Sequence, residues 1–478
     1  MRGGSQWPIT RRLHEALEWV RDQETEKTLW IDAICINQYD LKERAQQVQL
    51  MQHIFRRAAN VLVWLGRLMS DAMENFILAI NKKALSNRDF RSSWSEAEVR
   101  EHQDGIVEFT GLEYWHRTWI IQELALARSV HFIFGSQRFT MKDLEKGLFV
   151  ALMPTALGQL LRDIRHIANA SDLLSLATTE SRDGNAGRLT QLLYMSRCSR
   201  CSDPRDRIYG LLGIMTNMFD ADFLEADYEQ STMDVYTNFA GRLISKSGSL
   251  AILNQTEHVF NSVVGLPTWV PDWSSRFNHS YAAFRKPYHE KFNASGTHLK
   301  DTYWPAPGYT LSPKLKLCGF LFGRVRATGL CNDRRYDEVF LDWRKLYPGS
   351  AKSFSRTMVL DHFTRPADLR DIYVILQGFS AVPIGQYHPF ILEATLFRRF
   401  FVSEKGLPGL GPIDTREGDS LAILAGGKVP YILRKSPNAT ASSPNLFTFV
   451  GEGYVDGVMY GELLEGPEAH VFEDIWLE

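Results

Sequence analysis

Cysteine is scarce in this sequence: Cys35, Cys198, Cys201, Cys318 and Cys331 are the only five among 478 residues. An odd number at this low density argues against a disulfide framework and suits a reducing compartment. No apolar run reaches the roughly 18–20 residues that a bilayer span requires. The opening MRGGSQWPIT has no apolar signal core. A soluble, cytoplasmic chain without a membrane span is therefore expected, and the sequons at Asn293 and Asn438 are read as chance matches. Neither sign of charge is in excess, 54 basic residues against 56 acidic giving −2. Composition thus offers no general attraction to phosphate backbones, and nucleic acid is not an expected partner. Repeats and low-complexity tracts are missing, as are a Walker A loop, a GxSxG elbow, an HExxH helix and a kinase signature set.

What is present is material for a core: 44% hydrophobic residues, with 12 Trp, 17 Tyr and 28 Phe. Leu13, Ala16, Leu17 and Val20 follow helical spacing and predict a helix over 10–22. LWIDAICI (29–36) is a strand-length apolar run interrupted by Asp32. Residues 41–59 read as a helix with Ala45, Val48, Met51, Phe55 and Ala58 on one face, and NVLVWLG (60–66) as a second buried strand. Strand, helix and strand with short joins predict a βαβ unit, with 29–34 and 61–65 as adjacent parallel strands. Residues 85–105 read as a loop, 114–128 as a helix, 131–135 as a strand, and a further helix starts near 140. Residues 156–185 read as helical. Asp203 is placed to cap a helix whose first turn holds Pro204 and Asp206, and 208–215 continue it. Another helix is expected over 228–250. From 266 onward short β-prone runs dominate, with turns at Gly-Asp and Gly-Gly and a helical interruption over 365–400. The expected division is 1–220, a helical connector over 221–265, and a smaller β-rich module over 266–478.

In a parallel α/β sheet, ligands bind beyond the carboxyl ends of the strands. Asp32, Cys35, Asn37 and Gln38, followed by Glu43 and Arg44, would gather at such an edge. Asp32 and Asn37 could equally tie down a loop or cap the next helix, and Cys35 could be a nucleophile or a small buried hydrophobe. In YWHRTWIIQE (114–123), a continuous helix would set Trp115, Trp119 and Glu123 at successive i, i+4 positions. Aromatic rings beside a carboxylate could stack on a nucleoside. The plainer option is a Trp-rich core with Arg117 paired to Glu123. Cys198 and Cys201 have half the spacing of a zinc site but no second pair nearby, so no metal is expected. Arg205 and Arg207 could reach a phosphate or a carboxylate.

Three of these segments carry a resemblance. LWIDAICINQYDLKERAQQVQLMQHIFRRAANVLVWLG (29–66), YWHRTWIIQELALA (114–127) and CSDPRDRIYGLLG (201–213) resemble, in order, the signature blocks of the fungal heterokaryon incompatibility (HET) domain. LPTWVPDW (266–273) and VPYILR (429–434) are similar to the usual tail of these proteins. The family's opening strand, with its Ser-Tyr-x-Trp-Gly-like motif, has no counterpart before residue 29, so a domain lacking its first strand is expected. The resemblance implies an α/β fold: a parallel-sheet, TIR-like N-terminal HET domain followed by a smaller β-rich module.

It also implies a role in self/non-self recognition and programmed cell death. Two functional readings follow. One is signalling by association with like HET domains or a nucleotide-oligomerisation protein. The other is a TIR-like hydrolase that has no resident cofactor and takes NAD as substrate. There Glu123 would be the catalytic carboxylate, Trp115 or Trp119 would stack on a base, and Asp32 and Asn37 would orient the ribose. Cys35, Gln38, Glu43, Arg44, Arg117, Gln122, Asp203, Arg205, Asp206 and Arg207 complete the signature set.

Overall fold

Helix α1 (Arg11–Val20) starts where the Thr10 side chain accepts the amide of Leu13 at 3.2 Å. It lies against strand β1 (Val61–Gly66): Trp19 meets Trp64 with ring centres 5.8 Å apart, and Arg12 donates to the Leu65 carbonyl at 3.1 Å. The computed structural model describes residues 8–21, 24–67, 70–85, 96–141, 143, 184–197, 199–220, 222–256, 262–275, 291–296, 314–361, 389–441, 443–465 and 470–478. The chain divides into two units, Met1–Glu180 with Met195–Ser231, and Ser181–Tyr194 with Thr232–Glu478. The second unit holds the β-rich part of the chain.

In the first unit, a short helix α2 (Asp32–Cys35) precedes α3 (Leu41–Arg57), which buries Val48, Met51 and Phe55. After β1 come α4 (Asp71–Leu85), α5 (Glu96–Glu101), α6 (Gln103–Thr110), a 3-10 turn at Glu113–His116 and α7 (Ile120–Ala125). The chain then returns as β2 (Val130–Phe134), parallel to β1, and turns back as β3 (Gln137–Thr140), antiparallel to β2. The sheet is therefore mixed and three-stranded in the order β1-β2-β3. Phe76, Phe109, Trp115, Phe132 and Phe139 fill its core.

Several expectations need correcting. Residues 29–31 belong to no strand, and β1 pairs with β2 instead, so the connection between parallel strands runs through α4–α7 rather than α3. The reason lies at Asp32. Its carboxylate accepts the amide of Ala33 at 2.7 Å and starts a helix inside the apolar run, while Trp30 packs edge-on against Phe55 of α3. A short apolar run is ambiguous between strand and turn, and here an acid decides it. The expected loop over 85–105 contains α5 and the start of α6, residues 86–95 lying outside the described ones. Of the helix expected from about 140, residues 141 and 143 are described and are helical, directly after β3. Of the helix over 156–185, only 184 and 185 are described; they open α8 (Gly184–Ser196).

The single helix expected over 114–128 is broken. Arg117 is extended (φ −80°, ψ 138°) and bridges in parallel to Arg200. The third block likewise folds as two short helices, α9 (Asp206–Tyr209) and α10 (Leu212–Met218), separated at Gly210 and Leu211.

In the second unit α11 (Thr232–Ser247) realises the helix expected over 228–250. Strand β4 (Leu315–Cys331) has 17 residues and three partners. Its first part pairs with β11 (Glu473–Leu477), its middle with β7 (Ser420–Leu424), and its end with β5 (Arg398–Ser403). From β11 the ladder continues through β9 (Leu446–Glu452) and β8 (Tyr431–Lys435) back to β7, so β4-β11-β9-β8-β7 closes on itself as a barrel. β6 (Pro408–Pro412) and β10 (Tyr454–Val455) extend the sheet beyond β5. Phe320, Phe322, Leu421, Ile423, Ile432 and Val450 belong to its core. Gly426 and Gly427 lie between paired β7 and β8, as their turn chemistry predicts, whereas Gly418-Asp419 leads into β7 from a strand that does not pair with it. Two helices absent from the sequence reading, α12 (Tyr336–Leu346) and α13 (Ala351–Met358), follow β4. Within the expected helical interruption only its end is described, as α14 (Pro389–Thr395) and the start of β5.

Candidate functional site

The three signature blocks meet at Asp206. Asp206 opens α9 and is 3% exposed. Its Oδ2 accepts from Arg44 of α3 at 3.2 Å and from the Trp119 indole at 3.3 Å; its Oδ1 accepts from the Tyr228 hydroxyl at 2.6 Å. Arg44 also reaches Asp203 Oδ2 at 3.3 Å, and its guanidinium lies 3.7 Å from the centre of the Tyr228 ring. Arg205 pairs with both oxygens of Asp203 at 2.9 Å and donates to the carbonyls of Tyr228 and Gln230. Backbone pairing ties the second and third blocks again, since Thr118 donates to the Arg200 carbonyl at 3.0 Å.

The two carboxylates around Arg44 differ. Burial pushes Asp206 up to about 6, against the Tyr228 hydrogen bond and the Arg44 charge. Burial also works to raise Asp203, but hydrogen bonds from Arg205 and the nearby cations outweigh it and hold its carboxyl below the usual range. Every oxygen of both groups is engaged, so this junction binds the blocks to one another and leaves no acceptor for a ligand.

Other signature residues build its frame. Asp40 caps α3 by accepting the amides of Lys42 and Glu43 at 3.0 and 3.1 Å, and Glu43 reaches back to the amide of Asn37 at 3.0 Å. Asn37 accepts the amide of Tyr39 at 3.2 Å, a local turn rather than a helix cap. Asn37, Gln38 and Cys35 are exposed. Arg207 is buried and donates to the Ser196 carbonyl at 3.0 Å. Gln122, 1% exposed, accepts the amide of Gly213 at 3.4 Å. Asp203 takes the amide of Arg205 at 3.1 Å in a turn ahead of α9, alongside its ion pairs. Helix α9 begins at Asp206 with Arg205 at its N-cap and no side-chain cap, so Asp203 does not cap the helix as expected and Pro204 precedes rather than opens it.

Glu123 is a different case. It is half-buried, and among the described residues its carboxylate makes no hydrogen bond or ion pair. The expected Arg117–Glu123 pair is not formed: Arg117 is exposed and acts through space. Burial raises the Glu123 carboxyl, the Arg117 charge offsets part of this, and Asp32 adds to the rise. Beside it Tyr114, 7% exposed, has a buried hydroxyl with no partner; burial and then the Glu123 charge raise it well above the ordinary phenol range. Because the helix is broken at Arg117, Trp115 and Trp119 do not share a helical face. Trp115 stacks into the core between Phe109 and Phe132, at 5.3 and 5.4 Å, while half-buried Trp119 serves Asp206. Two residues that matter here had no assigned role: Tyr228 lies outside all three blocks, and Tyr114 lay within one unremarked. Among the described residues no three His, Cys, Asp or Glu side chains gather as a metal site, and no helix is long and apolar enough to cross a membrane.

Residues 1–123 match the family described as heterokaryon incompatibility protein (HET), and residues 372–475 match the Het-6 beta-barrel domain. Both matches are to fungal heterokaryon incompatibility families, one at each end of the chain. Over 93% of its length it is similar, at 23% identity, to heterokaryon incompatibility protein 6, OR allele, of Neurospora crassa, of which the alignment covers 82%. No solved structure matches the chain.

Proposed function

We propose that this protein acts in heterokaryon incompatibility, as a cytoplasmic effector whose HET unit signals cell death by associating with like domains or with a nucleotide-oligomerisation partner. The observation that carries this reading is the order of the parts, a HET domain followed by a Het-6 barrel, in a chain similar to a named incompatibility protein over most of its length. The polar junction at Asp206 supports it, since three signature blocks are spent on holding one another rather than on an open cleft. The test is regulated expression in fungal strains carrying different alleles. Growth arrest in some allelic backgrounds and not in others is expected, and Arg44→Ala should abolish it. Arrest in no background, or equally in all, would sink the recognition reading.

A second reading, hydrolysis of NAD, draws support from Glu123 alone. A carboxylate with no partner beside Asp32 could stabilise an oxocarbenium-like state. Incubating the purified chain with NAD should then release nicotinamide, and Glu123→Gln should stop it. No release by a folded protein would discard this reading and leave the first standing.

A further inference from the structure

The charges of the first unit are sorted along its sheet. No Asp or Glu occurs between Glu43 and Asp71, or between Glu123 and Asp143. Those stretches hold most of α3 and all of β1 and β2. The two strands are parallel, so both begin at one end of the sheet. There the Val61 amide reaches the Ser129 carbonyl at 2.8 Å, which brings Arg57, at the end of α3, to the same end as Arg128. Both arginines are exposed, as is His53 one turn earlier on α3, and neither arginine makes an ion pair among the described residues. Half-buried Arg56 adds a third guanidinium, which donates to the neutral Gly213 carbonyl at 3.0 Å.

Carboxylates gather at the opposite end. Strand β1 stops at Gly66, and α4 opens at Asp71 with Glu74 in its first turn. Helix α6 crosses this turn closely: a Cβ on Gly105 would fall 2.2 Å from the Ala72 carbonyl oxygen, and Ser70 donates to Glu108. Asp104 and Glu108 of α6 thereby join Asp71 and Glu74, and Glu101 ends α5 just before them. All but Glu74 are exposed. Arg67 follows β1, but Glu18 takes its charge at 3.7 Å, and α5 and α6 together contain one arginine, Arg100.

Charges of one sign held together repel, and an opposite patch relieves them. The unit cannot bring its own two ends together, because the sheet stands between them. A second copy can. End-to-end pairing about a two-fold axis would set like charges against like, whereas a simple translation sets cations against acids. Exposed Leu62 near the start of β1 and exposed Val107 on α6 give each end an apolar side chain to cover. We infer that copies of this chain join head to tail, the Arg57–Arg128 end of one against the Asp104–Glu108 end of the next. Such an interface is heterologous and stays open after two copies, so it builds rings or filaments. The inference deepens the association reading above and rests on it, naming a second copy as the partner.

The test is sedimentation velocity on the full chain over a range of concentrations, at about 0.1 M and about 1 M salt, where charges act over about 10 Å and about 3 Å. Species larger than a dimer are expected to grow with concentration at the lower salt and to dissociate to single chains at the higher. Arg57→Glu with Arg128→Glu, and separately Glu101→Lys with Asp104→Lys, should each hold the chain monomeric at the lower salt. All four side chains are exposed and unpaired, so Tm should stay at the parent value. Mixing the two variants should restore association, because each keeps the end that the other has lost. A monomer at both salts, a closed dimer, association that survives the higher salt, or no recovery on mixing would each overturn the inference. Should either variant melt early, the salt and concentration dependence of the parent chain still decides. Growth arrest separates the two readings. Allele-dependent arrest by a chain that stays monomeric sinks head-to-tail assembly alone, and an assembled chain that arrests growth in no background sinks the signalling reading alone.

Discussion

The guanidinium of Arg44 lies 3.7 Å from the centre of the Tyr228 ring while facing Asp203 and Asp206. One residue of the first block thus satisfies two carboxylates of the third and is backed by an aromatic face from outside both. Truncating it leaves Asp206, whose side chain is 4% exposed, with its charge uncompensated. Arg44→Ala should therefore lower stability by about 3 kcal/mol, the range for breaking a buried pair. Arg44→Lys should recover little of this, because an ammonium group offers neither the fork nor the flat face. Urea denaturation compares the three proteins, and a lysine variant as stable as the parent would contradict this account.

Asp206 links the same junction to pH. Its carboxyl stands at about 6 in the fold, above the usual 3.8. The folded chain therefore binds this proton before the unfolded chain does. Its stabilising effect is complete below the unfolded value and is lost as pH rises through about 6. Thermal melts at a series of pH values should therefore show Tm climbing as the pH is lowered from 7 toward 5. Glu123 is raised too and acts in the same direction, whereas lowered Asp203 withdraws stability only below the usual carboxylate range. Asp206→Asn should flatten the Asp206 part of the climb. An unchanged Tm profile in that variant would refute the assignment.

Gly213 tests how closely the third block must approach the others. A Cβ there would fall 2.6 Å from Leu126 Cδ1, 2.9 Å from Gln52 Cβ and 3.1 Å from Gln122 Oε1. Gly213→Ala should destabilise the chain by about 1–3 kcal/mol through overpacking, despite alanine's better helix propensity. A neutral or stabilising result by thermal melting would show that α10 can shift away.

In the second unit, Arg398 and Glu452 form an ion pair with side chains 2% and 3% exposed. Glu452→Gln should cost about 3–5 kcal/mol by stranding the arginine. The double change Arg398→Met with Glu452→Leu should restore much of the loss, since two apolar groups need no partners. If the double variant is no better than the single one, the pair contributes more than mutual neutralisation.

Much of this architecture was legible where one period dominates. The spacing of Val48, Met51 and Phe55 identified α3, and the apolar runs around Val63 and Phe132 identified β1 and β2. Legibility failed where a single residue overrode the pattern. Asp32 began a helix within a strand-like run, and extended Arg117 split a segment with helical spacing. Of the site, Arg44, Trp119 and Asp206 were singled out, but their mutual contact was not, because it joins residues 162 positions apart. Tyr228 carried no local cue at all. Barrel closure was equally hidden, since the pairing of β4 with β11 is set by long-range register and not by any turn.

That register also orders events in time. Leu315 is opposite Leu477, so on a ribosome the ring has a gap until β11 has emerged. Every contact of the Arg44 junction, by comparison, is available once Tyr228 is out. Two halves of one molecule thus mature on different clocks, and a nascent chain can hold a completed signature junction while β4 and β9 still present bare edges to whatever chaperone is nearest.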